Sequence, residues 1–345
     1  MADLTVEAGD QAARGRAGGG WPGYLARKLG GGLVSVFLVA VLGFFLFRVL
    51  PGDPVRTMTR GAPVSAEQLE QLRQRLGLDQ PLWKQFVDYL GALVRGDLGT
   101  SYTYSRPVAE LIGERFGPTV LLVGTATVLA VALGLWMGTR AAWRHGSAFD
   151  KASTSVALTL WSVPTFWLGL IVLMVLGVGV GPIPGLFPVG GMVSPDTPPV
   201  LISQVLDVAR HLVLPALTMV AVIYAQYLMV MRSSLLEEMG ADYLTTARAK
   251  GLREDLVRRR HAVPNALLPT VTLIFLHLGL VVGGAITVET VYSWPGLGLL
   301  TFEALRVPDL PLLQGTFIVL AGSVIVMNVV ADLLYRVLDP RVRAA

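Results

Sequence analysis

Cysteine is absent from the 345 residues, which excludes disulfides, Cys-ligated zinc and thiol catalysis. Histidine is scarce. His145, His211, His261 and His277 are scattered, with no H-E-x-x-H or short H-x-H grouping, which argues against a protein-held metal. No G-x-x-x-x-G-K-[ST] phosphate loop occurs, and Ala249-Lys250-Gly251 lacks the strand and glycines that would make one, so the chain itself is not expected to bind or hydrolyse ATP. Charge is also scarce: 15% of residues are charged against 53% hydrophobic, a balance outside the range of soluble domains that places the chain in lipid. The formal net charge of +4 is too small to read as a nucleic-acid surface; it suits membrane headgroups or nothing specific.

What is present is a succession of long apolar runs: Leu29 to Leu50, Pro118 to Thr139, Ser155 to Val180, His211 to Met231, Pro269 to Val291 and Leu313 to Val337. Each can cross about 30 Å of hydrocarbon as a helix, and each is apolar nearly all round, unlike a helix half-exposed to water. The expected fold is an all-α integral membrane protein with about six transmembrane helices. Residues 1–28, rich in Gly, Ala and Arg, are expected to form a disordered cytoplasmic tail. Residues 29–50 are expected to form a retained first span, since the run ends at Arg48 and Pro51-Gly52-Asp53-Pro54 without a small-residue cleavage site. Residues 51–117 form an external helical loop, and residues 118–341 carry five further spans. Arg and Lys crowd alternate loops (Arg140, Arg144, Lys151; Arg232 to Arg260; Arg336 to Arg343), which puts both termini in the cytoplasm.

The external loop has helical structure of its own. Ser65 with Gln68 makes a capping-box spacing before Leu69, Leu72 and Leu76, and Gly77 suits a helix stop. Pro81 to Val94 is amphipathic, and either lies in the outer interface with Trp83 and Tyr89 as anchors or packs on the membrane domain; a third, shorter stretch runs from Pro107 to Phe116. Gly181 to Pro199, rich in Pro and Gly, reads as a loop over the external mouth.

Residues 233–268 are the most informative. This cytoplasmic stretch is far longer than a helix connection requires and dense in charge, so something outside the membrane is expected to bind it. Asp242 can cap a helix from Tyr243 to about Lys250, small Ala247 and Ala249 would admit a partner closely, and Gly251 ends the turn. A second helix, from Leu252 to His261, is basic on most faces.

The residues D-Y-L-T-T-A-R-A-K-G-L from Asp242 and V-R-R-R-H-A-V-P-N-A-L-L-P from Val257 resemble the EAA loop of ABC importer permeases, in the version of the peptide and nickel branch. F-R-V-L-P-G-D-P from Phe47, L-G-L-D-Q-P-L from Leu76, G-D-L-G-T-S from Gly96, V-P-T-F-W-L-G from Val163, E-T-V-Y-S-W-P-G-L-G from Glu289 and Y-R-V-L-D-P-R-V from Tyr335 are similar to the same family, so the resemblance covers nearly everything after the tail. It implies a type I ABC importer permease architecture of the B-type subunit. The chain would be one subunit of a peptide importer in the bacterial cytoplasmic membrane, or of a nickel or other small-solute importer. It also implies partners: a C-type permease, two ATPase subunits or domains that hold ATP and Mg, and an extracellular or periplasmic solute-binding protein. Asp242, Tyr243, Ala247, Arg248, Ala249, Lys250, Gly251 and Leu252 would make the ATPase contact through a coupling helix. This chain would then be no enzyme and carry no cofactor. Two positions depart from the family's pattern: Pro264 stands where Arg usually precedes Asn265, and Thr245 takes the first place of the E-A-A triplet.

Gln226, Tyr227, His277, Glu289 and Asn328 are candidates for the translocation path, because polar groups within spans tend to line cavities. Glu289, placed before a Trp-Pro-Gly turn, also reads as a structural hydrogen-bond acceptor. It lies about 18 Å from His277 along a helix, too far for one site. Pro164 reads as a hinge or a static kink in the third span, and Arg48 and Asp332 as groups that snorkel or pair near span ends. An ion-coupled secondary transporter is the rival reading, opposed by the lack of mid-span acids and the oversized loop; a membrane enzyme would need clustered catalytic groups that the sequence does not offer.

Overall fold

The computed structural model describes residues 21–49, 55, 65–75 and 77–338. The first twenty residues of the expected tail and the P-G-D-P segment lie outside them. Helix α1 spans Trp21–Val49, starting earlier than the apolar run. Tertiary partners account for the extra turns: Tyr24 and Lys28 hydrogen-bond to Asp332, and Gly32 lies over Ile325 and Val329 of the last helix. The start of the first span and the end of the last therefore share one face of the molecule.

Two short helices follow, α2 (Ala66–Arg75) and α3 (Leu82–Val94). Ser65 N–H donates to Gln68 Oε1 at 2.9 Å and Gln68 N–H to Ser65 Oγ at 3.2 Å, the reciprocal bonds of a capping box. Helix α3 packs on α1 through Phe86 and Tyr89, whose rings lie 5.2 and 5.4 Å from Phe44, so its inner face is a packing face. Its outer face leaves Trp83 exposed.

Helix α4 (Val108–Trp143) absorbs the expected third amphipathic stretch into the second span, with Pro118 inside it. The third run departs most from expectation. Ser155 to Val180 is not one span with a central kink: α5 (Ala148–Ser162) and α6 (Thr165–Val172), which widens into a π turn at Leu173–Val178, are bent by 104° at their junction. Val163 takes the extended conformation (φ −80, ψ 132) that the following proline favours, and Pro164 begins a new helix.

After the pair β1 (Gly179–Val180) and β2 (Ile183–Pro184), the chain continues as α7 (Leu201–Glu238), α8 (Asp242–Ala249), α9 (Glu254–Val257), a π turn (Arg258–Ala262), α10 (Val263–Val291), α11 (Leu297–Arg306) and α12 (Leu310–Leu338). Among the described residues, 4 helices are long and apolar enough to cross a membrane, or 5 if the bent pair is one span. Helix α10, of 29 residues, covers the expected fifth run.

The centre of the molecule is the crossing of α4 and α7. Ala126, Ala130, Gly134, Gly138 and Ala142 recur every fourth residue of α4, all buried, and such a stripe lets helix backbones approach closely. A Cβ on Gly134 would meet the Tyr224 carbonyl oxygen at 2.8 Å; one on Gly138 would meet the Leu228 carbonyl oxygen at 2.7 Å. Around this crossing, Leu122, Leu214, Tyr227, Leu228, Val288 and Trp294 form the main core.

Gly138→Val should therefore force the two helices apart and cost about 1–3 kcal/mol, as overpacking does, read as a lowered melting temperature in mild detergent. Gly124→Val, where nothing lies within 4 Å of an added Cβ, should leave the melting temperature unchanged.

Candidate functional site

The loop that the sequence singles out folds into a clamp at the end of α7. Ala241 is the N-cap of α8, and Asp242 is its first helical residue without a side-chain cap. This corrects the expectation that Asp242 caps: its carboxylate instead lies in the first turn, where the helix dipole favours it. Gly251 has φ +76, and Gly251 N–H and Leu252 N–H donate to the carbonyls of Arg248 and Ala247 at 2.9 and 3.4 Å, a Schellman closure.

Helix α8 divides into two faces. Leu244 and Ala247 are buried with Ala142, Met231, Leu235, Val257, Ala262 and Ala266. Ala247 is thus part of the loop's own core and not an open seat for a partner, as its size alone indicated. Asp242, Tyr243, Thr245, Thr246, Ala249, Lys250, Gly251 and Leu252 are exposed. Arg248 is half-buried, its Nε 2.9 Å from Glu254 Oε1. Tyr243 donates its hydroxyl proton to Glu238 and accepts from Asn265 Nδ2 at 3.0 Å, tying the end of α7 to α8 and to the start of α10. Burial first, then the Glu238 carboxylate, raises its phenol pKa above the usual value.

Pro264 sits in the first turn of α10, directly after the π turn Arg258–Ala262. A proline there cannot donate to the carbonyl four residues back and crowds it; the wider π turn absorbs that defect, so α9, the π turn and α10 run on as one column. Beneath the clamp lies a cluster that the sequence reading missed. Asp150 is buried and takes Arg232 bidentately, Nε to Oδ1 at 2.6 Å and Nη2 to Oδ2 at 3.0 Å, while also accepting Gly146 N–H at 2.9 Å. This pair joins the start of α5 to α7. The available signal was Ser147 three residues before Asp150, which caps α5.

The path candidates whose side chains are described differ in their surroundings. Tyr227 is fully buried against Gly134, Gln226 is half-buried, and Asn328 is exposed on α12. His277 lies within α10, with its side chain outside the described residues. Glu289 is fully buried and accepts from Thr119 Oγ1 at 2.7 Å and from Leu299 N–H at 3.0 Å, holding α10, α4 and the N-terminus of α11 together. A Cβ on Gly296 would overlap its carboxylate and one on Gly298 would come within 2.9 Å of it, which explains the two glycines in W-P-G-L-G. Asp309, also buried, accepts from Ser101 Oγ at 2.6 Å and Thr103 N–H at 2.9 Å, seating the G-D-L-G-T-S loop. Asp207 accepts from Ser194 N–H and Thr197 Oγ1 at 2.6 and 2.8 Å and so pins the Pro- and Gly-rich loop.

Comparison with known proteins adds the following. Residues 130–344 match the family described as the binding-protein-dependent transport system inner membrane component, and residues 23–123 match the N-terminal part of such membrane components. The dipeptide transport system permease protein DppB of Escherichia coli K12 is 37% identical over 337 residues, covering 93% of this chain and 98% of that protein. A putative peptide permease protein of Brucella suis biovar 1 is 38% identical over 322 residues, covering 93% and 98%. The glutathione transport system permease protein GsiC of Escherichia coli O6:H1 is 37% identical over 321 residues, with the same coverage. Among solved structures, an inward-facing form of the MetNI methionine ABC transporter superposes with a TM-score of 0.50 at 16% identity, covering 67% of this chain and 97% of that one, a likeness of fold.

Glu289→Leu should leave Leu299 N–H and the Thr119 hydroxyl proton without their acceptor in the interior and cost about 1–3 kcal/mol, whereas Glu289→Gln keeps an acceptor and should cost less. Melting temperatures of the two variants, ranked in that order, check the assignment.

Proposed function

The chain belongs to the family of binding-protein-dependent transport system inner membrane components, and we propose that it is the B-type permease subunit of an ATP-driven importer of short peptides. The observation that carries this reading is the two-faced α8, with an inner face buried on α4, α7 and the α9–α10 column and an outer face left to a partner. The names of its relatives speak of dipeptides, peptides and glutathione, which supports short peptides as the substrate class. The chain's own part in transport is mechanical: ATP and Mg belong to two ATPase subunits, a C-type permease completes the pore, and a solute-binding protein delivers the peptide from outside. Both termini and α8 face the cytoplasm of a bacterial cell.

In this reading the ATPase pair grips the strip Asp242, Tyr243, Thr245, Thr246, Ala249, Lys250, Gly251 and Leu252. Its closure displaces α8, and α8 cannot move alone. Leu244 and Ala247 bind it to α7 and α10, Tyr243 bridges Glu238 and Asn265, and Arg232 takes α5 along through Asp150. The spans joined to the clamp therefore rock as one body and turn the cavity from outward to inward access. Gln226, Tyr227, Glu289 and Asn328 then divide by role: Glu289 and Tyr227 hold the scaffold, while Gln226 and Asn328 are open to the path.

Ala249→Trp, on the outer strip, should abolish peptide uptake in reconstituted vesicles while the melting temperature of the chain is kept; unchanged uptake would remove the docking role. Ala247→Trp, on the inner face, should lower the melting temperature first. Because the chain has no cysteine, single cysteines report sidedness directly. Thr245→Cys should react with an impermeant maleimide only in inside-out vesicles and Asp97→Cys only in right-side-out ones.

A further inference from the structure

Between the end of α4 and the π turn that opens α10 lies a cleft of about 560 Å³ that the transport cycle as described does not use. Its rim carries Arg140, Arg258 and Arg259; its floor is Leu135, Val263 and Leu267. Two of the guanidiniums rest on aromatic rings. The Arg140 guanidinium carbon lies 5.3 Å from the Phe149 ring centroid and 5.9 Å from that of Trp136, and that of Arg258 lies 5.8 Å from Trp143. Among the described residues none of the three is paired with a carboxylate, because the acids nearest in sequence are engaged elsewhere: Asp150 with Arg232, Glu254 with Arg248 and Asp255 with Arg253.

We propose that this cleft binds the headgroup of an anionic phospholipid from the cytoplasmic leaflet, with the phosphate among the three guanidiniums and an acyl chain along the apolar floor. Guanidiniums that line one cleft suit phosphate oxygens in charge and hydrogen-bonding pattern, and basic pockets between spans at the cytoplasmic boundary suit such headgroups. The apolar floor selects a lipid over a free anion, which would gain nothing from it. Trp136, half out of the protein beside Arg140, belongs at headgroup depth, where indole rings collect. The lipid would bridge α4 to the turn that carries the loop into α10, the joint through which α8 acts. The inference rests on the membrane disposition proposed above; a failure of that disposition appears in the thiol labelling, whereas a failure of the lipid site appears only in binding.

The test is native mass spectrometry of the full chain, purified in mild detergent with whatever subunits accompany it and titrated with dioleoyl-phosphatidylglycerol or dioleoyl-phosphatidylcholine. The native chain should retain one phosphatidylglycerol with a preference of at least about tenfold, each guanidinium near an anionic headgroup contributing a factor of about five. The triple change Arg140→Gln, Arg258→Gln and Arg259→Gln should bring that preference to within about twofold, and Arg95→Gln on the opposite face should not. If the triple variant fails to fold, exposed Arg259→Gln alone should weaken phosphatidylglycerol retention about fivefold. Absence of any preference in the native chain, its survival in the arginine variants, or displacement of the lipid by millimolar inorganic phosphate would overturn the proposal.

Discussion

The close crossing of α4 and α7 is the constraint on which the rest of the molecule depends. In lipid there is little hydrophobic drive to press helices together, so their association rests on packing, and packing is densest where backbones meet. The stripe Ala126, Ala130, Gly134, Gly138 and Ala142 provides that approach over most of the membrane's depth. Its last member, Ala142, already belongs to the cluster beneath α8. The same seam that holds the centre of the membrane domain therefore seats the loop outside it, and a displacement of α8 has a stiff column on which to act.

Buried carboxylates secure the regions that packing cannot. Asp150, Glu289 and Asp309 are each almost wholly withdrawn from solvent, and each is satisfied by hydrogen-bond donors. A buried charge without such partners would be strongly destabilising. All three stand where a helix begins or a loop must be held: Asp150 at the start of α5, Glu289 against the start of α11, Asp309 before α12. Their common role is to fix connections, so the interior of the spans stays free of charge among the described residues that line the α4–α7 core. Exposed pairs such as Arg248 with Glu254 add little stability beside them.

Much of this was legible in the sequence. Apolar runs gave the class and the approximate spans, because length and uniform hydropathy are what lipid demands. The oversized loop stood out because connections of that length need a reason. Three things were not legible. The 104° break at Pro164 was hidden because a proline within an apolar run reads equally as a kink. The inward face of Ala247 was hidden because a short helix with small residues has no strong polarity to orient it. The Asp150–Arg232 pair joins residues far apart in the chain, and no local pattern records such a contact. Nor was the small-residue stripe read from the sequence, because it lay within a run apolar on every side, where spacing assigns no face.

The central claim is that the outer strip of α8 meets an ATPase while its inner face meets only this chain. A photo-crosslinking residue placed at position 249, and in a second variant at position 247, would test it in native membranes, with mass spectrometry of the products. The expected result is a cross-link from position 249 to a polypeptide carrying a G-x-x-x-x-G-K-[ST] phosphate loop, and from position 247 only to residues of α7 or of the α9–α10 column. Cross-links from position 249 solely to lipid or to this chain would contradict it.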